Sequence, residues 1–358
     1  MVAAVAVTAV AARVDVTSAQ TTVATPEQRA RVDRVMRRVV KPGEPGASVV
    51  VSRGDTIVFA AGYGVADIET GTRVTPTTAF RLASVSKQFT AAAILALVEE
   101  GRVRLDDRVG ELLPELPGYA RAVVVRHLLA HTSGIPDYEP LLGSGNGPQV
   151  TDRDVLTLLR RERRLYFEPG TSWRYSNTGY ALLALIVERV SGEPFASYLR
   201  RRVFDRARMP TAVAHVDGVD TVAERAFGHS HDAGVWHKTD QNRTSAVLGD
   251  GGIYASAEEL ARWSAALDRN AVLAETTFRE ATRPAALSSG THTSYGYGWF
   301  LDTHRGHRRQ RHEGDSIGFR TAIQRYPDER LTVIVLANRG VAPIDALSDG
   351  VADVFLPR

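Results

Sequence analysis

The stretch Arg81-Leu-Ala-Ser-Val-Ser-Lys-Gln-Phe-Thr90 decides how this chain reads. An apolar helix begins there, predicted over Gln88–Glu100 and ended by Gly101. Ser84 and Lys87 stand one turn apart at its start, so they share a face. A helix start also offers unpaired N–H groups and the positive end of the dipole. Of the 44 basic residues only three are lysine: Lys41, Lys87 and Lys238. Arginine keeps its proton at any useful pH, whereas a desolvated lysine can release it. A Ser-x-x-Lys pair in this place therefore points to a hydroxyl nucleophile beside an amine base, and to an enzyme. The plainer alternative is a capping serine with an incidental lysine.

Two further stretches carry chemistry. Tyr175-Ser-Asn177 lies in Phe167-Glu-Pro-Gly-Thr-Ser-Trp-Arg-Tyr-Ser-Asn-Thr-Gly-Tyr180, expected as the loop before a helix over Gly179–Val190. A phenol close to an ammonium can pass on a proton that a free tyrosine, with a pKa of about 10, would hold. An amide two residues on can hold a substrate carbonyl or amide. His312-Glu-Gly314 is expected at the end of a strand over Arg308–His312. His304-Arg-Gly306 has the same form, but only the later one is followed by Asp315-Ser-Ile-Gly-Phe319 and a hairpin. Gly314 would let a substrate lie close against the strand.

Outward from these stretches, strand signals gather at the two ends. Ala47–Phe59 reads as a hairpin around Arg53-Gly-Asp55, and Tyr295–Asp302 as a strand. Phe319–Tyr326 and Leu331–Ala337 pair around Pro327-Asp328-Glu329. Helices are predicted over Pro26–Val40 and Pro343–Phe355. The middle is mostly helical. The expected fold is α+β, an antiparallel sheet built from both chain ends and flanked by helices, with a helical domain inserted. The α/β part would span about 26–100 and 285–358, and the insertion about 101–284.

Bulk composition narrows the function. A chain of 358 residues can bury a large core. A formal net charge of +3 gives no reason to expect nucleic acid, and Arg161–Arg164 and Arg200–Arg202 read as solvated basic faces. The absence of cysteine removes disulfides, thiolate catalysis and cysteine-bound zinc. His229-Ser-His231 and His237 read as a polar loop with incidental histidines, because no partner stands at metal-ligand spacing. No metal or cofactor is expected. Residues 1–25 read as a signal peptide or leader: Val2–Ala12 is a small-residue apolar run, and Thr17-Ser18-Ala19 resembles a cleavage site, although no basic segment precedes it. A periplasmic or secreted protein without an integral membrane span is expected.

Taken in order, these motifs resemble the serine β-lactamase and penicillin-binding protein superfamily, over roughly residues 30 to 340. The branch is that of the class C β-lactamase-related hydrolases, which includes D,D-carboxypeptidases, D-aminopeptidases and carboxylesterases. Leu128-Leu-Ala-His-Thr-Ser-Gly134, Gly249-Asp-Gly-Gly-Ile-Tyr254 and Tyr295-Gly-Tyr-Gly-Trp299 add to the likeness. The resemblance implies that Ser84 attacks an acyl carbonyl, with Lys87 and Tyr175 taking and returning the proton. It implies that Asn177, His312, Gly314 and Asp315 bind substrate, the backbone N–H groups of Ser84 and Asp315 forming an oxyanion hole. His131 would be a structural corner. The substrate would be a small ester, amide or β-lactam.

The third motif departs from the family. Where Lys-Thr-Gly or His-Thr-Gly is common, this chain has His-Glu-Gly. Glu313 facing the site would repel a substrate carboxylate, which favours an ester, small peptide or D-amino acid amide over a lactam. Strand alternation would instead send Glu313 to the other face. A true lactamase or D,D-carboxypeptidase is the second enzymatic reading. A penicillin-sensing scaffold is the reading from another class, against which Ser84, Lys87 and Tyr175 all count.

Overall fold

The computed structural model describes residues 23–357, apart from 144, 146 and 217. The expected leader, 1–25, falls almost wholly outside the described residues.

A six-stranded antiparallel sheet organises the chain. Its spatial order is Thr56–Tyr63, Ala47–Arg53, Leu331–Ala337, Phe319–Tyr326, His307–Ser316, Phe300–His304. The first two strands come from one chain end and the last four from the other, as the strand signals predicted. Alternation divides the side chains between two faces. Val49, Val51, Ala322, Tyr326, Val333 and Val335 pack under the helices Pro26–Arg37 and Ile344–Phe355. Val50, Phe319, Ile323, Ile334 and Leu336 face the larger core, which holds the buried helices Lys87–Glu99 and Asn177–Ser191. The first helix starts where the sequence dictates. Pro26 takes the first turn, and Thr25 and Gln28 form a reciprocal cap at 3.2 and 3.0 Å.

The middle of the chain is not wholly helical. Ala79–Arg81, Ile253–Ser256 and Val213–Ala214 form a small second sheet. The segment expected to be a histidine-bearing loop is a hairpin, His229–Asp232 with Val235–Lys238. His229 is fully buried within it, and His231 stacks on Trp236 with centroids 4.6 Å apart. Among the described residues no group of His, Asp or Glu has metal-binding geometry, and no helix is long and apolar enough to cross a membrane.

Two strand expectations need correction. The last edge strand is Phe300–His304, not Tyr295–Asp302. Gly298 has φ +81°, and a side chain on Gly296 would strike the Ala281 carbonyl at 2.2 Å, so this segment is a packed loop. The neighbouring strand, His307–Ser316, runs four residues beyond the expected Arg308–His312. His312-Glu-Gly314 therefore lies inside a strand, and its alternation is fixed by pairing with Phe319–Tyr326.

Candidate active site

The chain enters the nucleophile helix through a tight turn, Ala83–Ser86, which runs directly into Lys87–Glu99. Ala83 adopts φ +48°, a left-handed conformation that costs a residue bearing a side chain of order 1 kcal/mol or more. Surrounding contacts hold it there. Leu82 N–H donates to the Ile253 carbonyl at 2.8 Å, and Thr321 Oγ1 donates to the Leu82 carbonyl at 2.7 Å. The turn is thus clamped between the small sheet and the large one, with Ser84 half-exposed on it.

Lys87 is fully buried, and its amine meets three acceptors: Ser84 Oγ at 3.0 Å, Asn177 Oδ1 at 2.7 Å and the Asp250 carbonyl at 2.9 Å. The three N–H donors of the ammonium thus find three acceptors. The rings of Tyr175 and Tyr180 close the remaining sides, with centroids 5.0 and 5.5 Å from Nζ. Among the described residues no hydrogen bond joins the Tyr175 hydroxyl to Ser84 or Lys87. Tyr175 is half-buried and held by packing. His131 lies 4.3 Å from its ring, His312 lies 6.2 Å away, and Phe300 stacks at 6.4 Å.

The third motif is divided by strand alternation. His312 lies opposite Ile323 and Gly314 opposite Thr321, so both face the nucleophile turn. Glu313 lies opposite Ala322, on the face covered by the terminal helices, and is ion-paired with Arg311. Of the two directions open to Glu313, this is the one set by strand alternation, and it turns the charge away from the nucleophile turn, so a preference against carboxylates does not rest on Glu313. His312, expected to touch substrate, is buried at 1% exposure. Its Nδ1–H donates to the Glu313 carbonyl at 2.7 Å, and Nε2 accepts from the Tyr295 hydroxyl at 3.0 Å. Burial, and then the nearby Lys87 charge, push its pKa down to about 3. His131 is also held well below its ordinary range, first by burial and then by Lys87. Both rings beside the amine are therefore neutral at ordinary pH.

Gly314 serves the protein's own backbone. A side chain there would sit 2.2 Å from both the Leu82 carbonyl and Thr321 Oγ1. The close approach expected for a substrate is already occupied by the nucleophile turn. Asp315, one residue on, is paired with Arg320 through its exposed carboxylate. It lines a cavity of about 40 Å³ together with Ser84, Asn177, Glu139, Thr244 and Ser316. A far larger cavity, about 690 Å³, lies between the first hairpin and the helix Ala257–Asp268. It is lined by none of Ser84, Lys87, Tyr175 and Asn177, so chemistry and not size identifies the site.

Four acidic residues frame the site without a local sequence signal. Asp137 Oδ1 accepts from the N–H groups of Asn177 and Thr178 at 2.9 and 3.2 Å, capping a helix whose own Ser176 makes no side-chain cap. Glu139 accepts from Asn177 Nδ2 at 2.9 Å, which fixes the amide with its oxygen toward Lys87. Burial and then the Asp137 charge push the Glu139 pKa up. Asp152 accepts from Leu248 N–H and Gly249 N–H at 2.9 and 3.0 Å, anchoring the turn that carries Asp250. The Asp250 carboxyl is buried and accepts from the Tyr138 hydroxyl at 2.9 Å. Burial pushes it up to about 7, opposed by Lys87 and the Tyr138 bond.

The chain is similar to known proteins over most of its length. The β-lactamase family profile matches residues 32–354. A penicillin-binding protein of Bacillus subtilis is 31% identical over 310 residues, covering 82% of this chain and 68% of that protein. A D-aminopeptidase of Brucella ovis is 31% identical over 297 residues, and this chain spans only 56% of its length. The crystal structure of a penicillin-binding protein from Bacillus halodurans superposes with a TM-score of 0.76 at 28% identity, over 90% of this chain and 98% of that one. The chain is a serine hydrolase that belongs to the β-lactamase family.

Proposed function

We propose that Ser84 is the nucleophile of an ester- or amide-cleaving enzyme and that Lys87 is its base. The observation that carries this is the fully buried Lys87 Nζ 3.0 Å from Ser84 Oγ and held there by Asn177 Oδ1 and the Asp250 carbonyl, so that after the ammonium loses one proton its lone pair faces the Ser84 hydroxyl. In the attack, Ser84 Oγ gives its proton to the neutral Lys87 amine as it bonds to the acyl carbon. The carbonyl oxygen takes the negative charge beside the backbone N–H groups of Ser84 and Asp315. Lys87 returns the proton, with the Tyr175 phenol as relay, to the departing nitrogen or oxygen as that bond breaks. Water then repeats the sequence against the acyl-enzyme, with Lys87 and Tyr175 again moving the proton.

The substrate is an ester, or an amide bearing a free amine, without a carboxylate beside the scissile bond. A neutral, buried His312 leaves the third motif without a cation, and Glu139 places a carboxylate on the cavity wall. The similarity to a D-aminopeptidase supports an amine-bearing substrate of D configuration. Export to the periplasm or beyond is part of the same reading. It is supported by Val2–Ala12 and Thr17-Ser18-Ala19, and the N-terminus of protein recovered outside the cytoplasm tests it.

A fluorophosphonate should add its mass to the peptide containing Ser84. A panel of p-nitrophenyl esters, D-amino acid anilides and a chromogenic cephalosporin should give the lactam the lowest kcat/KM. Labelling that persists in Ser84→Ala, or a lactam turned over fastest, refutes the respective parts.

A further inference from the structure

The two arginine clusters that stand out in the sequence have different surroundings. Arg200–Arg202 is tied into the protein. Arg200 donates to the carbonyls of Met209 and Pro210 at 3.2 and 3.1 Å, Arg201 pairs with Glu193, and Arg202 Nε donates to Glu100 at 2.8 Å. The other cluster, Arg160, Arg161, Arg163 and Arg164, lies just after the helix Asp152–Leu158, in a short turn and the irregular segment that follows it. All four are exposed, and among the described residues none of them forms an ion pair. Only Glu162 interrupts them, so four positive charges and one negative give this short segment a formal +3, as much as the whole chain.

Two further features adjoin these charges. Tyr166 is 44% exposed, and the Arg174 guanidinium lies 4.1 Å over its ring. Arg160 also lines a cavity of about 350 Å³, where Arg153 joins it over Leu113, Leu156 and Leu185. The acids of that cavity are engaged: Glu115 pairs with Arg189, and Glu188 accepts from Phe195 N–H at 3.0 Å. We infer that this face docks on an anionic phospholipid membrane. Guanidinium groups bind phosphate through paired N–H donors. An exposed tyrosine ring beside them has the amphipathic form of a residue at a bilayer interface. A leucine-lined cavity with guanidinium groups on its wall is ordered as a lipid is, with an apolar part and a phosphate-binding part. A soluble polyanion would engage the charges but not the leucines. The contact is peripheral, since no described helix is long and apolar enough to cross a membrane, and each arginine at an anionic surface strengthens it about fivefold. The inference does not depend on the roles of Ser84 and Lys87.

Vesicle sedimentation tests it. Vesicles of phosphatidylglycerol and phosphatidylcholine in equal parts should carry the protein down at low salt, and vesicles of phosphatidylcholine alone should not. Combining Arg161→Gln, Arg163→Gln and Arg164→Gln should lower the partition coefficient about a hundredfold. Combining Arg34→Gln, Arg37→Gln and Arg38→Gln removes as many exposed charges at the end of the first helix and should change it little. Tyr166→Ser should weaken the part of the binding that persists at high salt. Both triple variants should keep the circular dichroism and ester turnover of the parent. If the first triple variant misfolds, Arg163→Gln alone should cost about fivefold. Equal binding to the two kinds of vesicle, or an equal loss in the two triple variants, overturns the inference. Retention on heparin that depends on the loop arginines, without vesicle binding, would make the face a site for soluble polyanions and overturn the membrane reading.

Discussion

Replacing Gly314 by alanine separates two roles a glycine can have in this strand. The added carbon would lie 2.2 Å from the Leu82 carbonyl oxygen and 2.2 Å from Thr321 Oγ1, and 3.1 Å from Ala83 Cβ. Ordinary contact needs about 3.5 Å, so the strand and the nucleophile turn must part by about 1 Å. The atoms met first are a backbone oxygen and a buried hydroxyl already bonded to it, so no flexible side chain can yield. Overpacking of this kind costs roughly 1–3 kcal/mol of stability. The same displacement moves Ser84 relative to Lys87 and Asp315, and a 1 Å misplacement of reacting groups costs about a hundredfold in rate. Gly314→Ala should therefore lower kcat about a hundredfold and Tm by a few degrees, with little change in KM. Steady-state kinetics on a p-nitrophenyl ester and a thermal melt measure both. A raised KM with unchanged kcat and unchanged melting would show that the glycine makes room for substrate, and would refute the steric reasoning.

Lys87→Arg should lose at least about a hundredfold in kcat while its circular dichroism matches the parent, because a guanidinium cannot act as a base near neutral pH; retention of most activity would make Lys87 a structural charge. Tyr175→Phe should slow both acylation and deacylation in burst kinetics, since one phenol serves both proton transfers. Glu139→Gln keeps an acceptor for Asn177 but removes the cavity-wall charge, so kcat/KM for D-amino acid anilides should fall about tenfold relative to uncharged esters; an unchanged ratio would show that Glu139 only orients Asn177. His312 binds its proton in the unfolded chain near pH 6.5 but in the folded chain only near pH 3, so its contribution makes stability fall as pH drops through that window. His312→Gln should remove one proton's slope, about 1.4 kcal/mol per pH unit, from denaturant melts taken between pH 6 and 4.

The sheet was readable because its signals are local. Phe319–Tyr326 and Leu331–Ala337 flank a Pro-Asp turn, the second as a continuous apolar run, and the structure pairs them as a hairpin. Ser84 and Lys87 were readable because one helical turn sets their spacing. What the sequence hid is non-local. Asp137 caps a helix that begins 40 residues later, and Glu139 orients an amide 38 residues away. Asp250 meets Tyr138 across 112 residues. Such partners leave no periodic trace. The direction of Glu313 was a different problem. Alternation gives two answers that differ by one residue of register, and pairing with the Phe319–Tyr326 strand chooses between them.

The same contacts account for a lysine at position 87 in a chain that otherwise prefers arginine. Each acceptor around Nζ is a neutral oxygen at 2.7–3.0 Å, arranged so that a compact amine reaches all three. A planar guanidinium presents five donors in one plane and cannot converge on three points around a single nitrogen. The electrostatics agree with the geometry. Two tyrosine faces lie against the amine, and the two histidines packed on Tyr175 are neutral. A permanently charged side chain would gain nothing from such a setting, because its charge never changes. The acceptors and rings around Nζ come from three separate parts of the chain, at 84, 175–180 and 250, and the space they leave fits one compact nitrogen rather than a planar fork.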